Sequence, residues 1–129
     1  MKSAFTMIEL VFVIIILGIF SAVAIPKFIG VSDSANATVC EAFVGTLNRT
    51  VSHTIWADSI LIDPNDYTVT EAKLLKNIDE EKLCGALAQY AAAATTGISF
   101  NKTIGDNTYN VSATPADNTT PAQWTWIKQ

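Results

Sequence analysis

The chain has 129 residues, half of them hydrophobic and 16% charged, with 8 basic and 12 acidic side chains and a formal net charge of −4. That length favours one compact domain with a modest core. An acidic balance with no basic run or basic-aromatic cluster excludes a surface built to neutralise a phosphate backbone, so no nucleic acid partner is expected.

The apolar excess is concentrated before residue 30, where a start carrying one positive charge, Lys2, is followed by FTMIELVFVIIILGIFSAVAIP. Only Thr6, Glu9 and Ser21 interrupt it. At ~1.5 Å per residue, residues 10–25 cover about 24 Å and residues 5–25 about 31 Å, so a full membrane span has to include Glu9. An ordinary secretory signal would be cut after the small-residue site Ala22-Val23-Ala24, but an acid beside the positive start has the wrong charge for one. A plain single-span anchor, held with Lys2 inside, explains the length and leaves Glu9 as an incidental cost.

A third reading rests on the residues themselves. MKSA followed by FTMIELVFVIIILGIFSAVAIP resembles the prepilin signal of type IV pilins and type II secretion pseudopilins. The resemblance implies that prepilin peptidase cuts between Ala4 and Phe5, where the family usually has glycine before the cut, and that the new amine on Phe5 is methylated. It makes Glu9 the fifth mature residue, and it matches Gly18 and Pro26 to a glycine and a proline of the family helix. The function implied is that of a structural subunit of a pilus or pseudopilus. Its partners are then identical or related subunits, the peptidase, an inner-membrane assembly platform and, before assembly, membrane lipid. Its location is the bacterial inner membrane with the carboxyl-terminal domain in the periplasm, then the filament.

Glu9 also has a purely local explanation, because Thr6-Met7-Ile8-Glu9 has the T-x-x-E form of a capping box. On the family reading, the Glu9 carboxylate additionally pairs with the Phe5 amine of a neighbouring subunit, offsetting the desolvation of both charges and fixing register. Pro26 has no N–H to donate and crowds the Ala22 carbonyl, so a kink or a loosened turn is expected there.

Beyond the anchor, residues 31–57 carry Val39, Phe43, Leu47, Val51 and Ile55 at four-residue steps, flanked by Cys40 and Val44, which predicts that the helix continues with an amphipathic face. Asp63-Pro64-Asn65-Asp66 reads as a turn. Residues 70–78 and 79 to about 94 read as two shorter helices capped by Thr70 and Asp79, with Gly97 as the stop. Cys84 falls in the second of these. Cys40 and Cys84 are too far apart in sequence for CxxC redox chemistry or a zinc site; outside the cytoplasm they form one disulfide, and otherwise they are two buried thiols. His53, the only histidine, has no ligand partners at metal spacing.

The tail changes period. Residues 98–104, a turn at Gly105-Asp106-Asn107 and residues 108–113 predict a hairpin, and residues 123–128 a third strand, with Trp124 and Trp126 on one face. Asp117, Asn118 and Thr119 offer oxygen ligands of the kind calcium takes, although turn-forming residues of this type commonly bind no metal. No catalytic constellation and no cofactor motif is present in the sequence, so no enzyme is expected. The expected organisation is a leader at 1–4, a transmembrane and assembly helix at 5–25, and an exported domain at 26–129. The fold class is α+β, a pilin-like long helix, transmembrane and then amphipathic, packed on a small antiparallel sheet. The competing function is an anchored or filament-tip binding module that recognises a surface or carbohydrate through its aromatic edge.

Overall fold

A computed structural model describes residues 5–64, 66–78 and 84–129. Helix α1 (Met7–Thr46) leads through a π-helical turn (Leu47–Val51) into α2 (Ser52–Leu61). Two shorter helices follow, α3 (Glu71–Leu75) and α4 (Leu87–Thr96), and then strands β1 (Phe100–Ile104), β2 (Asn107–Thr114) and β3 (Gln123–Lys128). By its internal contacts the chain divides into two units, Met1–Ser34 and Ala35–Gln129.

In the first unit the described side chains of residues 5–25 are all exposed. This run is rich in β-branched valine and isoleucine, which in water favour strands. In hydrocarbon, where no water can satisfy a backbone amide, helix formation pairs each group internally and overrides that preference.

The second unit is organised on the later part of the long helix. Cys40, Val44, Leu47, Val51 and Ile55 are buried on one line, whereas Val39, expected on the same face, is 46% exposed. The physical reason is periodicity. Four-residue steps on a 3.6-residue helix precess by about 40° each, so the four steps from Val39 to Ile55 drift by about 160° and leave Val39 off the buried face. The π turn, with its wider i→i+5 bonding, spans Leu47–Val51, and Leu47, Val51 and Ile55 are all buried.

The sheet is antiparallel with order β1-β2-β3. Ile104 pairs with Asn107 across the two-residue turn Gly105-Asp106, so Asn107, expected in the turn, opens β2 instead. Gly105 adopts φ +57°, the left-handed conformation that such tight hairpin turns require. Tyr109, Val111 and Ala113 of β2 and Trp124 and Trp126 of β3 face the core. The other face holds Asn101 and Thr103 of β1, Thr108, Asn110, Ser112 and Thr114 of β2, and Gln123, Thr125 and Ile127 of β3. Helix α4 packs on β2, and the small side chains Ala91 and Ala94 join the core there.

Thr70 caps α3, its hydroxyl accepting from the Lys73 amide at 3.3 Å, as expected. Gly97 ends α4 at φ +73°. The expected second helix is shorter than its composition suggests. It begins at Leu87, Gly85 stands at φ +120°, and Cys84 therefore lies in the turn that precedes the helix rather than within it. Asp79, the expected cap, and Asn65 lie outside the described residues. The result is the α+β arrangement expected, with a long amino-terminal helix that packs on a three-stranded antiparallel sheet through its later part.

Candidate processing and assembly site

The candidate site is the amino-terminal turn of α1. Thr6 stands just before the first helical residue, and its hydroxyl oxygen accepts from the Glu9 amide at 3.4 Å while its O–H donates to the Glu9 carboxylate at 3.5 Å. The Thr6 side of the expected capping box is thus formed within the chain, while the Glu9 carboxylate bonds the Thr6 hydroxyl and not its backbone amide. Phe5 beside it is 73% exposed. Ala4 and the rest of the expected leader lie outside the described residues. Between Phe5 and Lys27, Glu9 is the single ionisable side chain on the helix surface. The helix is long and apolar enough to cross a membrane, and none of its most apolar stretch is buried within the chain.

The backbone is helical through both Gly18 and Pro26. A side chain placed at Gly18 would meet open space. Three residues further on, Ser21 donates to the Leu17 carbonyl at 2.8 Å. Among the described residues, the departure of the long helix from α geometry falls at the π turn of the second unit, some twenty residues beyond Pro26.

In the second unit Cys40 of α1 and Cys84 are joined as a disulfide, both fully buried, with Cα atoms 5.1 Å apart. The bond sits in a cluster with Ile104, against Tyr109 and Trp126. Sequence alone leaves Asn48 unremarked, yet its amide clamps β3: Nδ2 donates to the Trp124 carbonyl at 2.8 Å, and Oδ1 accepts from the Trp124 amide at 2.7 Å. The side chain thereby imitates a neighbouring strand for one residue. Ser52, one turn on, donates to the Ala122 carbonyl. The π turn places both on the sheet side of the helix.

Trp124 is 3% exposed and its indole N–H donates to the Tyr90 carbonyl at 3.0 Å. Trp126 is half-buried and stacked on Tyr109, with ring centroids 4.8 Å apart. The aromatic edge proposed for carbohydrate stacking therefore loses one of its two rings to the core. Tyr90 is fully buried between Phe43 and Phe100 in edge-on contacts. Its hydroxyl donates to the Cys84 carbonyl at 3.0 Å, and burial pushes its pKa up to about 12.

At the calcium candidate, one Asp117 carboxylate oxygen accepts from the amides and hydroxyls of Thr119 and Thr120 at 2.6–3.2 Å. These bonds, led by the Thr119 hydroxyl, lower its pKa to about 2. The carboxylate is committed to holding its own loop, and the Trp56 indole N–H holds the Asp117 carbonyl at 2.8 Å. Asn118 is exposed. Among the described residues no three His, Cys, Asp or Glu side chains come together as a metal site. His53 is exposed on α2.

No protein-family model, curated protein or solved structure matches the chain.

Proposed function

We propose that the chain is a structural subunit of a type IV pilus or a type II secretion pseudopilus. It is cut between Ala4 and Phe5 by prepilin peptidase, methylated on the new amine, and polymerised through its amino-terminal helix. The observation that carries this reading is a single carboxylate, Glu9, on the first turn of an otherwise apolar and uncovered helix. A plain anchor needs no acid there. An ionised group in a bilayer costs about 2.5 to 3.5 kcal/mol at the centre and less toward the edge, so the chain carries Glu9 at a cost that pairing with a neighbour's Phe5 amine offsets. The small disulfide-linked α+β unit supplies the body that such a filament displays.

Two measurements test this. The mass of the mature amino-terminal peptide should correspond to a methylated Phe5 start; an Ile25 start selects a secretory signal and an intact Met1 a plain anchor. Replacement of Glu9 then separates cap from charge, since glutamine serves a capping box as glutamate does. Glu9→Gln and Glu9→Ala should both insert normally and both fail to build filaments. Normal filaments from Glu9→Gln would reduce Glu9 to a cap.

A further inference from the structure

One short pattern recurs along the chain and has no part in the amino-terminal site. Asn-x-Ser/Thr, with no proline between, occurs at Asn36, Asn48, Asn101, Asn110 and Asn118. Five of the eight asparagines carry it, whereas 23 serines and threonines in 129 residues would place about one or two there by chance, so composition does not account for it. The pattern is the acceptor sequence for N-linked glycans on exported proteins. The buried Cys40–Cys84 bond belongs to the same oxidising kind of compartment.

The fold separates the five. Asn36 lies in α1, where residues two apart point about 200° from one another, so no single site can hold its carboxamide and the hydroxyl two residues on. Asn48 has its carboxamide committed to Trp124. Asn101 and Asn110 are paired in the β1–β2 ladder, with their carboxamides bonded to each other at 2.9 Å. Asn118 differs on each count. It stands in the loop between β2 and β3, exposed like Thr119 and Thr120 after it, and its side chain makes no hydrogen bond to the described residues. The loop takes its shape from other groups: the Asp117 carboxylate gathers the amides of Thr119 and Thr120, the Trp56 indole N–H holds the Asp117 carbonyl, and Pro115 and Pro121 flank the turn. The Thr120 hydroxyl donates to Asp117 at 3.2 Å, the longest of the four bonds on that oxygen, and keeps its own lone pairs for a partner.

We infer that Asn118 is the acceptor for an N-linked glycan, transferred from a glycosyl pyrophosphate donor. The Asn118 Nδ2 bonds to the anomeric carbon as the bond from that carbon to the pyrophosphate oxygen breaks. The pyrophosphate leaves with the electron pair, and one amide proton passes to a base of the transferase. A glycan is bulky and strongly hydrated, and an exposed loop tip carries it without disturbing the core. The inference needs the second unit to be exported, which a filament subunit and a plain anchor both provide, so it does not rest on polymerisation.

The full-length chain, purified from the membranes of the cells that make it and cleaved before aspartate, yields residues 117–129 as one peptide that holds Asn118 apart from the other four sites. Electron-transfer fragmentation should place a saccharide increment on Asn118. Asn118→Gln and Thr120→Ala should each abolish the increment and Thr120→Ser should retain it, all with the disulfide intact, because the Asp117 bonds to the two amides remain. An increment added as one block assigns the sugar to a lipid-linked donor, and a ladder of single sugars assigns it to a nucleotide-linked one; both support the inference. An unmodified peptide, an increment on Thr119 or Thr120, one that survives Thr120→Ala, or modification of the other four asparagines in place of Asn118 would each overturn it. The mass of the amino-terminal peptide decides the filament reading from the same sample, so either reading can fail alone.

Discussion

Asn48 shows how one side chain can finish an edge that the sheet leaves open. The outward N–H and C=O of Trp124 lie beside a buried indole, where unpaired groups cost about 1 to 3 kcal/mol each. Asn48→Ala strands both, so we expect a loss of about 2 to 6 kcal/mol, seen as a lower denaturant midpoint and faster amide exchange at Trp124. Asn48→Asp keeps the acceptor and loses the donor, and it should fall between the two. Tyr90 offers a second test, through pH. Its pKa is raised in the folded state to about 12 from an ordinary value of 10, because burial disfavours the phenolate. The neutral ring therefore contributes its full stability below about pH 10, and that contribution declines as pH rises through about 12. Thermal midpoints measured between those limits should drop steeply in the native protein and less steeply in Tyr90→Phe, which starts about 1 kcal/mol lower for want of the bond to Cys84.

At the scale of elements, the π turn makes its own prediction. It behaves as one extra residue in an α-helix, so deleting the exposed Thr50 should restore α geometry while leaving Val44 and Leu47 before it, and Val51 and Ile55 after it, on the core side. Deleting the exposed Glu41 instead turns Cys40 by about 100° relative to Val44 and should prevent the disulfide. Thiol counting and thermal melting separate the two: Thr50 deletion keeps the bond and costs little beyond the Asn48 clamp, whereas Glu41 deletion exposes two thiols.

These elements also show how far local pattern reaches. The long helix, the Thr70 cap, the Gly97 stop and the three strands carry their signals within a few residues, and each appears close to where its chemistry places it. The four-residue spacing read from Val39 to Ile55 drifts off one face of an α-helix, and the buried line runs instead through Cys40, Val44, Leu47, Val51 and Ile55. Helical composition around Cys84 misleads because Gly85 stands at φ +120° beside a disulfide whose partner, Cys40, is 44 residues away. The Asn48 clamp joins residues 76 apart and leaves no local trace. Of the candidate site, the Thr6 and Glu9 cap was legible because it is local. The neighbour expected for Glu9 belongs to another copy, and no single chain contains it.

On the scale of the whole molecule, two units of different chemistry share one helix, and their stabilities should separate. The first unit carries a helix long and apolar enough to cross a membrane, and a hydrocarbon surround would favour that helix. Folded domains are ordinarily stable by about 5 to 15 kcal/mol, and in the second unit the Cys40–Cys84 bond closes a separation of 44 residues. Such a closure contributes about 4 kcal/mol in the chain-entropy account, a large fraction of the lower end of that range. The variant with both cysteines replaced by serine should therefore unfold its sheet and α4 at a much lower denaturant concentration. Residues 5–34 should remain helical in detergent, giving two transitions where a coupled molecule would give one. Far-ultraviolet dichroism follows the helices and tryptophan emission follows Trp56, Trp124 and Trp126, all of which lie in the second unit. A shared midpoint for the two signals would show that the continuous helix transmits stability from one unit to the other. Separate midpoints would show that oxidation stabilises the second unit while the apolar helix holds independently of it.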